Sequence, residues 1–170
     1  NLIGPYAKVQ EALIKLLVIP GSMASALFYE FSSSKNSTSA INDMANGYKK
    51  KLSYIMLIII AFIIIFGDYV LSAWINDDFA SKAYLPLIFM SIGIFFNSIA
   101  LVPHTVLSSK GEVSYIAKAH LFELILMIPT VFYFTVNFGL VGASIVWATR
   151  PILDYFLLNY KARKILNIST

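Results

Sequence analysis

The stretch KKKLSYIMLIIIAFIIIFGDYVLSAWINDD, residues 49–78, decides the class of this fold. Three lysines open it and two aspartates close it; between them, residues 54–75 carry a single charge, Asp68. A helix rising about 1.5 Å per residue needs roughly 20 apolar residues to cross the hydrocarbon of a bilayer. Residues 54–75 meet that length. The run is continuous, without the alternation over segments of about ten residues that a barrel strand requires, so a membrane helix is the reading.

Working outward, four more runs of the same kind appear, at residues 9–31, 84–107, 116–136 and 141–160, the first entered through Gly4-Pro5-Tyr6. An all-α integral membrane protein with five transmembrane helices is expected. Nine of the 13 basic residues fall in three segments: Lys35, Lys49, Lys50 and Lys51; Lys110 and Lys118; and Lys161, Arg163 and Lys164. Between them lie the long apolar runs, whose connecting loops carry only Lys82 and the Asp77-Asp78 pair. Basic residues gather on the cytoplasmic side of membrane proteins, so this alternation places the C-terminus there. Residues 32–51 read as a flexible basic loop, 76–82 as a short acidic one, 108–118 as a turn around Lys110-Gly111, and 137–139 as a tight hairpin.

The composition agrees. The chain of 170 residues is 58% hydrophobic and 13% charged, with a mean hydropathy of +0.74, whereas soluble domains carry roughly a quarter of their residues as charges. The net charge of +4 comes from residues flanking apolar runs, not from a basic polar surface, and nucleic acid is not an expected partner. With no cysteine and two histidines far apart in the chain, no metal cluster and no cofactor is expected. There is no phosphate loop and no nucleophile elbow, so no enzyme is expected.

Charges inside apolar spans are costly and tend to face a cavity or a partner. Lys8, Glu11, Lys15, Ser22, Ser25 and Tyr29 fall on one stripe of the first span, either a cavity lining or an interface where Glu11 pairs with Lys15 one turn away. In the fifth span Arg150 and Asp154 lie four apart, close enough to pair within the helix, or to offer a guanidinium fork to an anionic group. Glu123 in the fourth span is a candidate proton or ion carrier, the counter-charge of a basic residue on another helix, or a near-interface carboxylate paired with Lys118 or His120. Asp68 and His104 read as interface residues. Prolines at 20, 86, 103, 129 and 151 mark kinks, either static or usable as flexure points.

Gly111…His120-Leu-Phe-Glu123…Pro129…Phe138-Gly139-Leu-Val-Gly142-Ala143…Trp147-Ala-Thr-Arg150…Asp154 resembles the last two helices of bacterial polysaccharide (O-antigen type) flippases. Gly4-Pro5-Tyr6…Pro20…Leu27-Phe28…Phe31-Ser32 resembles the eighth helix of that family, and Val102-Pro103…Leu107-Ser-Ser-Lys-Gly111 the end of the tenth. The family lies in the multidrug/oligosaccharidyl-lipid/polysaccharide exporter superfamily, with twelve helices in two bundles. The resemblance implies that residues 1–170 are helices 8–12, a partial C-terminal bundle without the N-terminal one, in the bacterial cytoplasmic (inner) membrane.

It implies as substrate an undecaprenyl-diphosphate-linked oligosaccharide, moved across the membrane by alternating access. Membrane lipids, a glycan polymerase and other assembly proteins are the implied neighbours. Lys15, Arg150 and Lys8 then become candidates for the diphosphate, and Glu123, Asp154 and Glu11 for ion coupling. A multidrug exporter of the same superfamily is the first alternative, although it favours acidic groups in its cavity. A membrane enzyme of glycan assembly is the second, although it needs a large outer loop or a catalytic cluster.

Overall fold

The computed structural model describes residues 3–33 and 37–166, which are helical almost throughout, with no strand among them. The helices are α1 (Ile3–Lys15), α2 (Val18–Ser32), α3 (Thr38–Trp74), α4 (Asp77–Ser109) and α5 (Val113–Ile165). Four helical stretches are long and apolar enough to cross a membrane: Ala7–Ser32, which joins α1 and α2, then α3, α4 and α5. The chain is a multi-pass membrane protein.

The first apolar run is not one straight helix. Leu16 and Leu17 close i→i−3 turns onto Leu13 and Ile14, and the helix resumes at Val18. Pro20 explains the position. Its ring collides with the carbonyl four residues back, on Leu16, and it has no N–H to return to it.

The expected loop at residues 32–51 is a correction, because α3 already begins at Thr38. Ser37 caps it, its hydroxyl accepting from Ala40 N at 3.2 Å. Polar composition hid an apolar stripe in this segment. Ile41, Ala45, Leu52, Met56 and Ile60 are buried at helical spacing, and that stripe carries the helix beyond the apolar run. Lys49, Lys50 and Lys51 therefore sit on a rigid helix. Lys35 lies outside the described residues.

At the other end Asn76 caps α4, its Oδ1 accepting from Phe79 N at 2.8 Å, and Asp77 and Asp78 occupy the first turn, where carboxylates suit the helix dipole. Asp78 also accepts from Lys82 Nζ at 2.6 Å.

Helix α4 is the centre of the bundle and packs against all the other helices. Small residues make this possible. Gly93 meets the second half of α5 at Ala148, where an added Cβ would stand 2.9 Å from the Ala148 Cα. The Tyr84 hydroxyl donates to the Ile64 carbonyl at 2.7 Å, tying α4 to α3.

Helix α5 is two arms, residues 113–138 and 140–165, broken at Gly139 (φ 59°, ψ −138°). That backbone conformation favours glycine. The arms run antiparallel: Gly142 packs against the Phe134 carbonyl, Tyr115 Oη donates to Leu157 O at 3.2 Å, and Lys161 Nζ lies 3.2 Å from Glu112 Oε2.

Candidate functional site

Because the arms of α5 fold back on each other against α4, polar residues far apart in sequence converge midway along the hairpin. Arg150 and Asp154 come from the second arm, His120 and Glu123 from the first, and Asn97 and His104 from α4; all but Glu123 line a cavity of about 160 Å³. Helical periodicity does the placing. Asn97 and His104 are seven apart, His120 and Glu123 three, Arg150 and Asp154 four, so each pair projects from one face.

Arg150 and Asp154 do not pair with each other as their spacing suggested. Arg150 Nε lies 3.5 Å from Glu123 Oε2, and Asp154 Oδ1 lies 3.2 Å from His120 Nε2. Both contacts cross between the arms. Glu123 is 1% exposed, and neither of its oxygens completes a hydrogen bond. The guanidinium is thus within electrostatic range of a carboxylate that still has free acceptors. A buried carboxylate in that condition is costly to keep ionised, and gains by accepting a proton or a cationic partner.

The two histidines, read from the sequence as too far apart for a shared site, are neighbours. Their rings stack with centroids 6.3 Å apart and planes 14° from parallel. His104 is therefore a correction: it faces this cluster from α4. Donor atoms of His120, Glu123 and Asp154 lie within 4.8 Å of one another, so three groups able to ligate a cation do converge. The Arg150 guanidinium beside Glu123 opposes a divalent ion there.

The charged stripe of the first run lies elsewhere. Lys8 is exposed. Lys15 Nζ donates to Glu11 Oε1 at 2.9 Å, with side chains 72% and 70% exposed. Ser22 and Ser25 return their hydroxyls to the carbonyls of Val18 and Gly21 in their own helix. None of these residues lines the cavity around Arg150. Asp68 is exposed.

Sequence reasoning passed over Asn97 and placed His104 at an interface. The signal was present in α4, where two polar groups seven apart share a helix face otherwise built of apolar and small residues.

Long apolar helices with a buried charge cluster beside a cavity mark a membrane protein with a candidate functional site between its helices. The chain is 28% identical over 158 residues to a protein of Shigella flexneri named "Putative O-antigen transporter". That match covers 91% of this chain and 37% of the relative, so the chain spans a little over a third of the relative's length. The resemblance to the O-antigen flippase type stands on this match. No family model matches the chain, and no solved structure matches it.

Proposed function

We propose that the chain is the C-terminal part of a flippase that carries an undecaprenyl-diphosphate-linked oligosaccharide across the bacterial cytoplasmic membrane by alternating access. In this reading the two arms of α5 are separate crossings, the five spans correspond to helices 8–12 of a twelve-helix protein, and the basic ends are cytoplasmic. The observation that carries it is the buried Glu123 held between the arms of α5, with Arg150 at 3.5 Å and an adjoining cavity of about 160 Å³. The likeness to a protein named as an O-antigen transporter supports the substrate class.

The mechanism follows from the two cross-arm contacts. Arg150 is 46% exposed and has one carboxylate partner, so its guanidinium retains donors for a diphosphate. When an anionic substrate engages Arg150, Glu123 loses its countercharge and takes up a proton or cation. Release of the substrate restores the pair. Asp154 and His120 form the parallel contact that holds the two arms in register. Lys15 and Lys8 fit as a second basic surface, because their exposed stripe would face an N-terminal bundle across the central cavity.

The test is Arg150→Gln made together with Glu123→Gln in the full-length protein, so that no lone charge is left buried, with surface glycan and membrane abundance measured together. Loss of glycan at unchanged abundance supports the reading; unchanged glycan removes Arg150 from the site. Transport in vesicles that is indifferent to proton and sodium gradients removes the coupling role of Glu123.

A further inference from the structure

A second polar site lies at the basic end of the bundle. The extended part of α3, the later turns of α4 and the end of α5 enclose a narrow crevice lined by Asn42, Asn46, Lys49, Asn159 and Arg163, with Pro103 of α4 forming part of its wall. The space within it is small, about 30 Å³, so the bulk of any larger group must sit at its mouth.

The lining is chemically one-sided: two cations, three amides and no carboxylate. Among the described residues, neither Lys49 nor Arg163 has a carboxylate within 4.0 Å. Asn46 Nδ2 donates to Asn42 Oδ1 at 2.9 Å, which leaves the Asn42 amide protons for another acceptor. Burial, and then the charge of Arg163, hold the Lys49 ammonium below its ordinary pKa. Two like charges gathered with spare donors are at a disadvantage until an anion joins them.

Lys49 lies five residues before the apolar run that begins at Tyr54, which puts the crevice near the level of lipid headgroups. A general excess of lysine at one membrane face accounts for exposed Lys50, Lys51 and Lys164. It does not account for a half-buried lysine turned toward an arginine among amides.

We propose that Lys49 and Arg163, with the amides of Asn42 and Asn159, bind a phosphate group, borne by an anionic phospholipid or free in solution. The Arg163 fork grips two phosphate oxygens, Lys49 supplies a point charge, and the crevice seats one oxygen among the amides. This inference does not depend on the transport reading.

The experiment is native mass spectrometry of the full-length protein titrated with phosphatidylglycerol, with phosphatidylcholine, and with inorganic pyrophosphate. Phosphatidylglycerol is expected to be retained in preference to phosphatidylcholine. Its affinity should fall about tenfold in K49Q or R163Q, the loss of one charge-assisted contact, and recover in K49R. The exposed controls K50Q and K164Q should stay within about twofold of the parent.

Pyrophosphate that displaces the lipid supports a site for any phosphate, whereas lipid retained against it supports a headgroup site. Equal weakening in all four Gln variants would reduce the effect to diffuse surface charge and overturn the proposal, as would binding of neither probe. Should K49Q or R163Q fail to fold, N159L tests the same crevice at constant charge. Unchanged binding in N159L then counts against the site, and a fall of about threefold supports it.

Discussion

Two regions of this molecule carry nearly the same charges and treat them differently. On α1, Glu11 and Lys15 pair within one helix at 2.9 Å, with both side chains about 70% exposed. In α5, Glu123 and Arg150 approach between two arms at 3.5 Å, and the carboxylate is 1% exposed. The α1 pair is the shorter, yet the α5 pair holds far more energy at stake. In the first, each partner keeps access to other surroundings if the contact breaks. In the second, loss of the guanidinium strands an almost wholly buried carboxylate. Burial, not distance, is expected to rank these pairs.

The largest effect should come from stranding that carboxylate. Arg150→Ala is expected to destabilise the protein by up to about 3 kcal/mol, the cost of leaving a buried group without its partner, the half-exposed guanidinium holding it below the range for a fully buried pair. The double variant E123Q/R150Q should recover most of that, because it leaves no lone charge. Thermal melting in detergent of the parent, both singles and the double gives the coupling energy. Strict additivity would break the contrast, since it would mean the two side chains do not sense each other.

Next comes the packing that brings the arms to α4. Gly93→Val forces a side chain into the Ala148 backbone and the Trp147 ring, and about 1–3 kcal/mol of overpacking cost is expected in the same assay. An equal cost for Gly47→Val, where an added Cβ meets nothing within 4 Å, would show helix propensity at work and not close approach.

A smaller loss, about 1–3 kcal/mol at most, is expected for His120→Ala, which leaves Asp154 without its cross-arm partner. His104→Ala should cost less, since the stacked ring offers contact without a bond to Asp154. A reversal of that order would move the hinge of the cluster from the hairpin to α4.

The smallest effect belongs to the other region. Lys15→Gln should shift stability by no more than about 0.5 kcal/mol, as for exposed pairs one turn apart. Measuring glycan export in the same strain sharpens the comparison. Lost export at unchanged stability would give the α1 stripe a functional role despite its energetic irrelevance. Unchanged export would leave Lys8, Glu11 and Lys15 as interface charges.

The membrane class and the positions of the apolar runs were legible in residues 49–78 and their counterparts, because hydropathy is summed along the chain and needs no partner. The glycine at 139 was legible for a similar reason, as a breaker between two apolar runs. The helix at residues 38–53 was not, since serine, asparagine and lysine composition outweighed a buried stripe of Ile41, Ala45 and Leu52. The interruption at Leu16 was legible from Pro20, four residues ahead, which marks a kink in the first apolar run.

Sequence by itself determined which segments enter the membrane and which side chains are available to meet there. Only the tertiary structure decided who meets whom. Spacing offered Arg150 to Asp154 and His120 to Glu123, each within one helix; the antiparallel fold at Gly139 exchanged those partners across the hairpin and drew His104 in from α4. The physical reason is that helical periodicity fixes only the face on which a side chain sits. The depth to which that face is buried, and the charge opposite it, belong to the packing of helices that are distant along the chain.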